Sequence, residues 1–227
     1  MKRTLLPALA LLLGLLASPT QAQPTGPRSA TVFDLTSAAG PTLDYASAAA
    51  WHLWGLDAAG RYQVGLGGRV SHFFGDGYAL NPQAGPANAE IRVARPAITS
   101  FNAAFHLRAR VAGPLRVGFN LDALGLSAGP GRDRQDLSAA GLPGPAGSPV
   151  RPVAGNVLLG GRPDRGSLNS ELYAAVRLSG GLSLRVGYSH LVTAYEDDDS
   201  RFHRFHNLAA LGLSYQLPQS GFRISVW

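Results

Sequence analysis

No cysteine occurs anywhere in the 227 residues, which excludes disulfide frameworks, thiolate nucleophiles and cysteine-based metal sites. No stretch after Ala22 is a long unbroken apolar run, so a membrane-spanning helix is not expected in the remaining chain. The basic residues are spread along the chain rather than clustered, which argues against a nucleic-acid partner. Helical periodicity is scarce too: the longer apolar segments repeat every second residue and are cut by glycines. The 28 glycines and 16 prolines suit a chain of strands and turns.

What is present begins with "MKRTLLPALALLLGLLASPTQAQ". Lys2 and Arg3 precede an apolar core from Leu5 to Leu16, and small and polar residues follow to Ala22. This three-part order predicts a secretory signal peptide over residues 1–22, cleaved after Ala22. Its core is shorter than the ~20 residues that span a bilayer. Loss of Lys2 and Arg3 leaves 18 basic against 14 acidic residues, a net charge of +4, which favours contact with anionic lipid head groups.

The remaining chain reads as strands with two different faces. "FNAAFHLRARV" sets Phe101, Phe105, Leu107 and Val111 against Asn102, His106, Arg108 and Arg110, and "LSLRVGYS" sets Leu182, Leu184, Val186 and Tyr188 against Ser183, Arg185 and Ser189. Strands are expected at Ser29–Thr36, Thr42–Leu56, Arg61–Phe74, Ala97–Val111, Leu115–Leu126, Ser167–Leu178, Leu182–Tyr195 and Phe205–Leu217. "LDALGL" at Leu121–Leu126 breaks the alternation and predicts a bulge or an emergent strand end.

Tight turns at Asp57–Gly60, Ala112–Pro114 and Gly180–Gly181 alternate with long stretches at Gly75–Pro96, Pro130–Gly166 and Glu196–Arg204. Short turns on one rim and long loops on the other, with apolar residues outward, predict an all-β fold: an antiparallel up-and-down transmembrane barrel of about eight strands. The barrel is expected over residues 28–217 in the bacterial outer membrane, short turns periplasmic, with 218–227 a C-terminal tail or seam strand. Trp51, Tyr62 and Tyr215 are expected on lipid-facing positions near the periplasmic rim, and Phe74 and Phe101 towards the other rim. A soluble sandwich is the competing reading, but these segments exceed the usual strand length of ~5–6 residues.

"NLAALGLSYQL", Asn207 to Leu217, resembles the terminal strand of outer-membrane barrels, with alternating hydrophobic residues and a tyrosine two places before the end. Leu217 stands where an aromatic is common; "GFRISVW" offers an alternative end at Trp227, with its apolar residues one register away. "GSLNSELYAAVRL" followed by "GLSLRVGYSHLVTAY" is similar to a central hairpin of the porin-like outer-membrane barrel proteins of Gram-negative bacteria. This resemblance implies recognition by the barrel-assembly machinery. It also implies a monomer among outer-membrane lipid and lipopolysaccharide, and it specifies architecture rather than activity.

The inward polar set comprises Arg69, His106, Arg108, Arg110, Arg116, Asp122, Glu171, Arg177 and Arg185. A barrel of eight strands is filled by its own side chains, so a packed salt-bridge network is expected, with an arginine-lined, anion-favouring narrow pore as the alternative. A lipid-modifying enzyme would need a serine and a histidine together on the lipid face. "SH" at Ser71–His72 and Ser189–His190 puts the two side chains of each pair on opposite faces. "YEDDDSRFHRFH", Tyr195–His206, matches no ordered metal spacing and is expected to be a solvated loop tip. The Pro- and Gly-rich stretch Pro130–Gly166 is expected to be mobile at the cell surface. The reading is a non-enzymatic membrane scaffold or surface-loop binding protein with no cofactor.

Overall fold

The computed structural model describes residues 29–83, 90–137, 143–160 and 164–218. The expected signal peptide and the last nine residues lie outside them. Eight long strands form the wall: β1 (Ser29–Ala39), β2 (Asp44–Gly55), β3 (Tyr62–Phe74), β6 (Ala97–Ala112), β7 (Leu115–Ala128), β12 (Leu168–Ser179), β13 (Leu182–Glu196) and β14 (Arg201–Gln216). Each pairs antiparallel with the next, and β1 returns to β14 through Val32↔Gln216 to Ala39↔Ala209, which closes the sheet. Closure leaves no unpaired edge in the wall, as a lipid surround demands.

The alternation is read out as expected. Phe33, Leu35, Leu66, Phe101, Phe105, Leu172, Val186 and Leu211 are all exposed, while the alternate positions Asp34, Arg69, Asn102, His106, Glu171 and Arg185 are buried. The outside is therefore the apolar face, inverting the arrangement of a soluble sandwich. The wall bulges at Ala123: Ala103 pairs with Leu124 and Ala104 with Asp122, so Asp122 turns inward and Leu124 and Leu126 stay outward. The tight turns share one rim with Ser29 and Leu217, whose amide donates to the Thr31 carbonyl at 2.9 Å.

Three local readings are corrected. Trp51 is not on the lipid face but is 1% exposed and points into the lumen, because its indole N–H donates to Asp34 Oδ2 at 2.7 Å; Trp54, 43% exposed, takes the lipid-facing place. The stretch Glu196–Arg204 is a tight turn at Asp197–Ser200 between strands, since Asp197 Oδ1 accepts from the amides of Asp199 (3.0 Å) and Ser200 (2.7 Å), and β14 starts at Arg201.

The described parts of the two long stretches, third, are folded. β4 (Gly77–Pro82), β5 (Ile91–Ala94), β8 (Arg134–Leu137) and β9 (Pro143–Ala146) form a small sheet, a cap joined to the wall where Pro82 and Asn81 pair with Phe202 and His203. β10 (Arg151–Pro152) pairs with β13 and β11 (Gly155–Val157) with β7. These segments have little apolar content of their own, but they dock it against the barrel. Tyr78, Leu80, Ile91, Val93 and Val150 are buried in one cluster with Tyr45, Phe73, Leu191, Tyr195 and Phe202 from the wall.

Candidate functional site

The lumen is the concave region of the molecule, and strand alternation alone decides what enters it. At mid-height Arg185 on β13 reaches Asp34 on β1 and donates from Nη2 to Glu171 Oε1 on β12 at 2.9 Å. Ser214 Oγ donates to Asp34 Oδ1 at 2.5 Å, and Asn120 Nδ2 to Glu171 Oε2 at 3.2 Å. Arg69 on β3 bonds Asn120 and lies 3.4 Å from Asp122 Oδ1 on β7; the other Asp122 oxygen accepts from Asn102 Nδ2 at 2.8 Å and the Asn169 amide at 3.0 Å. Charges withdrawn from water need such partners to be tolerated at all.

Several contacts cross the lumen rather than follow the wall. Asn169 Nδ2 on β12 donates to Tyr45 Oη on the opposite strand β2 at 2.8 Å, and the Ala97 amide on β6 donates to Tyr195 Oη on β13 at 3.1 Å. His106 Nε2 and Tyr173 Oη are 2.6 Å apart, and the Arg185 guanidinium stands 3.7 Å from the Tyr173 ring centroid. Room for that ring comes from glycine: a Cβ at Gly118 on β7 would stand 2.3 Å from Tyr173 Cζ, and one at Gly187 on β13 would stand 2.9 Å from its Cβ. Gly67 likewise makes room for the Trp51 ring, which a Cβ there would approach to 2.4 Å.

Of the sequence-expected inward set, Arg69, His106, Arg108, Asp122, Glu171 and Arg185 are buried, whereas Arg110, Arg116 and Arg177 are partly exposed at the short-turn end. Asp34 and Trp51 are partners the sequence reading missed, although Asp34 between Phe33 and Leu35 carried a signal: an acid on the inward parity of a two-faced strand.

On the outer surface His190 is half-buried on the lipid face, its Nδ1 2.7 Å from Asn207 Oδ1 and its ring stacked on Phe205 at 5.5 Å. Ser170, opposite it on β12, donates its hydroxyl to the His190 carbonyl at 3.4 Å rather than to the ring. Ser71 and Ser189 point inward, and their histidines sit on β3 and β13, which are not neighbours. Among the described residues no group of three or more His, Asp and Glu is arranged to hold a metal ion.

An antiparallel barrel of eight closed strands, apolar outside and polar inside, defines an outer-membrane β-barrel protein, and the chain is one of that class. Solved structures similar to it include Neisserial surface protein A (9% identity, 84% of this chain and 98% of that one, TM-score 0.42). Two others are the Yersinia pestis outer membrane protein Ail (8%, 83% and 99%, TM-score 0.39) and the N-terminal β-barrel domain of Pseudomonas aeruginosa OprF (12%, 85% and 99%, TM-score 0.36). Likeness of this degree says nothing of a ligand or partner, and the class follows from the barrel's own faces. No protein-family model matches the chain, and no curated protein matches its sequence.

Proposed function

We propose that the protein is a closed, non-catalytic scaffold that holds a folded cap at the cell surface as a binding platform. The observation that carries this reading is the double closure of the lumen. Side chains bridge it from wall to wall at mid-height, and the β4–β5 hairpin fills its outer mouth with Tyr78, Leu80, Ile91 and Val93. A conducting pore needs a continuous wet path, and side chains bonded across the lumen under a buried apolar cluster speak for a scaffold instead. The cap is fastened at its far side too, where Arg134 on β8 pairs with Asp197 in the β13–β14 turn; within β8 the same arginine pairs with Asp136 at 3.1 Å. Rigid walls that carry folded loops are the usual way such scaffolds present a binding surface.

Two measurements test it. In planar bilayers a sample whose gel mobility shifts on boiling gives no conductance steps above background; regular steps would overturn the closed scaffold. Because the chain has no cysteine, single thiols report orientation. Asp199→Cys is labelled by a membrane-impermeant maleimide on intact cells, and Ala58→Cys only after the outer membrane is permeabilised. The opposite pattern would put the cap in the periplasm and end its role as a surface platform.

A further inference from the structure

The β4–β5 hairpin is held over the lumen mouth by a chain of polar groups as well as by apolar burial. Tyr78 on β4 donates its hydroxyl to Thr193 Oγ1 on β13 at 2.8 Å, and Thr193 Oγ1 lies 3.0 Å from His206 Nε2 on β14. The Tyr78 and His206 rings meet edge to face, centroids 4.7 Å apart. Arg204, the next inward residue of β14, donates from Nη1 to the Ala79 carbonyl at 2.9 Å, and its guanidinium stands 5.7 Å from the Tyr78 ring. Tyr78, Thr193 and His206 are all buried.

Counting protons assigns the state of the imidazole. Thr193 accepts the Tyr78 proton and has one hydroxyl proton of its own to give. His206 Nε2 receives that proton only while the nitrogen is bare, so the neutral ring completes the chain. Protonation makes Nε2 a second donor aimed at Thr193, whose own proton then loses its acceptor at a fully buried position. The charges that act on His206 are those of Arg204 on its own strand and His190 on β13, and both oppose an imidazolium. Tyr78 on β4 and Tyr195 on β13 are neutral near pH 7 and offer no anion. The stems of the hairpin pull the same way. Gly77 has φ 130, and Arg95, which is not a glycine, has φ 44, so the seated hairpin works against backbone strain.

We propose that the cap is a proton-released lid: neutral His206 seats the β4–β5 hairpin through Thr193 and Tyr78, and protonation of His206 unseats it. This rests on the reading of the cap as a binding platform and adds its regulation. Unseating bares Leu80, Ile91 and Val93, so acid turns a folded platform into an apolar surface. The closed form takes only the neutral ring and the open form takes both. Closure is therefore fullest above the ordinary histidine value of about 6.5 and weakens as the pH falls below it. The outer tie of the cap outlasts that fall. Burial raises the Asp197 carboxyl, but the Asp199 and Ser200 amides and Arg134 hold it below its ordinary 3.8.

The test uses the full chain in an uncharged maltoside detergent, each sample first checked for its gel shift on boiling. Val93→Cys, at a buried position, and Ala94→Cys, at its exposed neighbour, are labelled with a pyridyl disulfide, which reacts with thiols in acid as well as at neutral pH. The ratio of the two rates removes the effect of pH on the thiol itself. Between about pH 7.5 and about pH 5 that ratio rises about tenfold or more. In the Val93→Cys background His206→Gln abolishes the rise and labels slowly at both pH values. His203→Gln, altered on the outer face, keeps the rise. Tyr78→Phe, which retains the ring but loses the link to Thr193, raises the ratio at neutral pH and flattens its response to acid. A flat ratio without these changes, or a rise that persists in His206→Gln, would overturn the proposal. So would a His206→Gln cap already open at neutral pH, which would make the ring a structural filler. Micelles have no sides, so the latch is read independently of whether Asp199→Cys is labelled on intact cells.

Discussion

The middle of the lumen and the mouth beneath the cap are both filled by side chains, but by different means. At mid-height Asp34, Asp122 and Glu171 are held by Arg69 and Arg185, with Trp51, Asn102, Asn120, Ser214 and the Asn169 amide supplying further bonds. At the mouth Leu80 and Val93 of the cap are buried in one cluster with Tyr45, Phe73 and Tyr195 of the wall. The first closure depends on each charge keeping its particular partner, since a buried ion left alone is costly. The second rests on non-directional burial of area. The inner closure is therefore brittle and exact in its partners, while the outer one tolerates change and can open by itself.

The largest effect is expected at mid-height. Arg185→Met leaves Asp34 and Glu171 buried without their guanidinium and lowers stability by about 3–5 kcal/mol, read from the urea midpoint in detergent micelles. A smaller loss than that of an apolar truncation at the mouth would break the contrast. Leu80→Ala, next, costs about 2–5 kcal/mol by cavity formation, but the loss is taken up by the cap. Cleavage between Gly77 and Ala94 by added protease speeds up, while the boiled and unboiled gel positions stay those of the wild type.

Gly118→Ala drives a methyl into the Tyr173 ring and costs about 1–3 kcal/mol by overpacking. Combined with Tyr173→Leu, the cost is less than the sum of the two single variants, and simple additivity would refute the seating of the ring on glycine.

The smallest effect lies at the periplasmic rim. The Tyr62 amide, 3.1 Å from Asp57 Oδ1, and the Arg61 groups hold the Asp57 carboxyl below its ordinary 3.8. A depressed acid contributes its stability above the ordinary value and loses it as pH falls through its own. The protection of the Arg61 and Tyr62 amides relative to their intrinsic exchange therefore falls as pH drops below the ordinary 3.8. Asp57→Asn removes that pH step.

The wall was legible because a period of two, repeated over eleven to sixteen residues, reports two different surroundings on its two sides. β2 was the exception in detail. "DYASAAAWHLWG" has alanine on both parities and tryptophan at both 51 and 54, so nothing local says which ring turns inward. Asp34 on the neighbouring strand decides it. The cap was not legible, as β5, β8 and β9 have four residues each and no apolar face that could fold alone. Their partner is the lumen mouth, made by residues far away in sequence. The inward arginines were visible as a set. Which ones meet carboxylates was not, because Arg185 reaches Asp34 only once β14 lies between their strands.

The seam between β1 and β14 has a consequence in time. Phe33 pairs with Tyr215 and Ala39 with Ala209, so the first wall strand waits for the last one before either has both neighbours. Such pairing has close to the greatest sequence separation the chain allows, which makes it slow to find. Until then β1 and β14 each offer an open row of amides and carbonyls to any extended chain nearby. The barrel is thus all or nothing with respect to synthesis. A chain released short of Tyr215 would be not a smaller barrel but an adhesive sheet, and its safe passage across the periplasm depends on remaining unpaired until the whole wall is present.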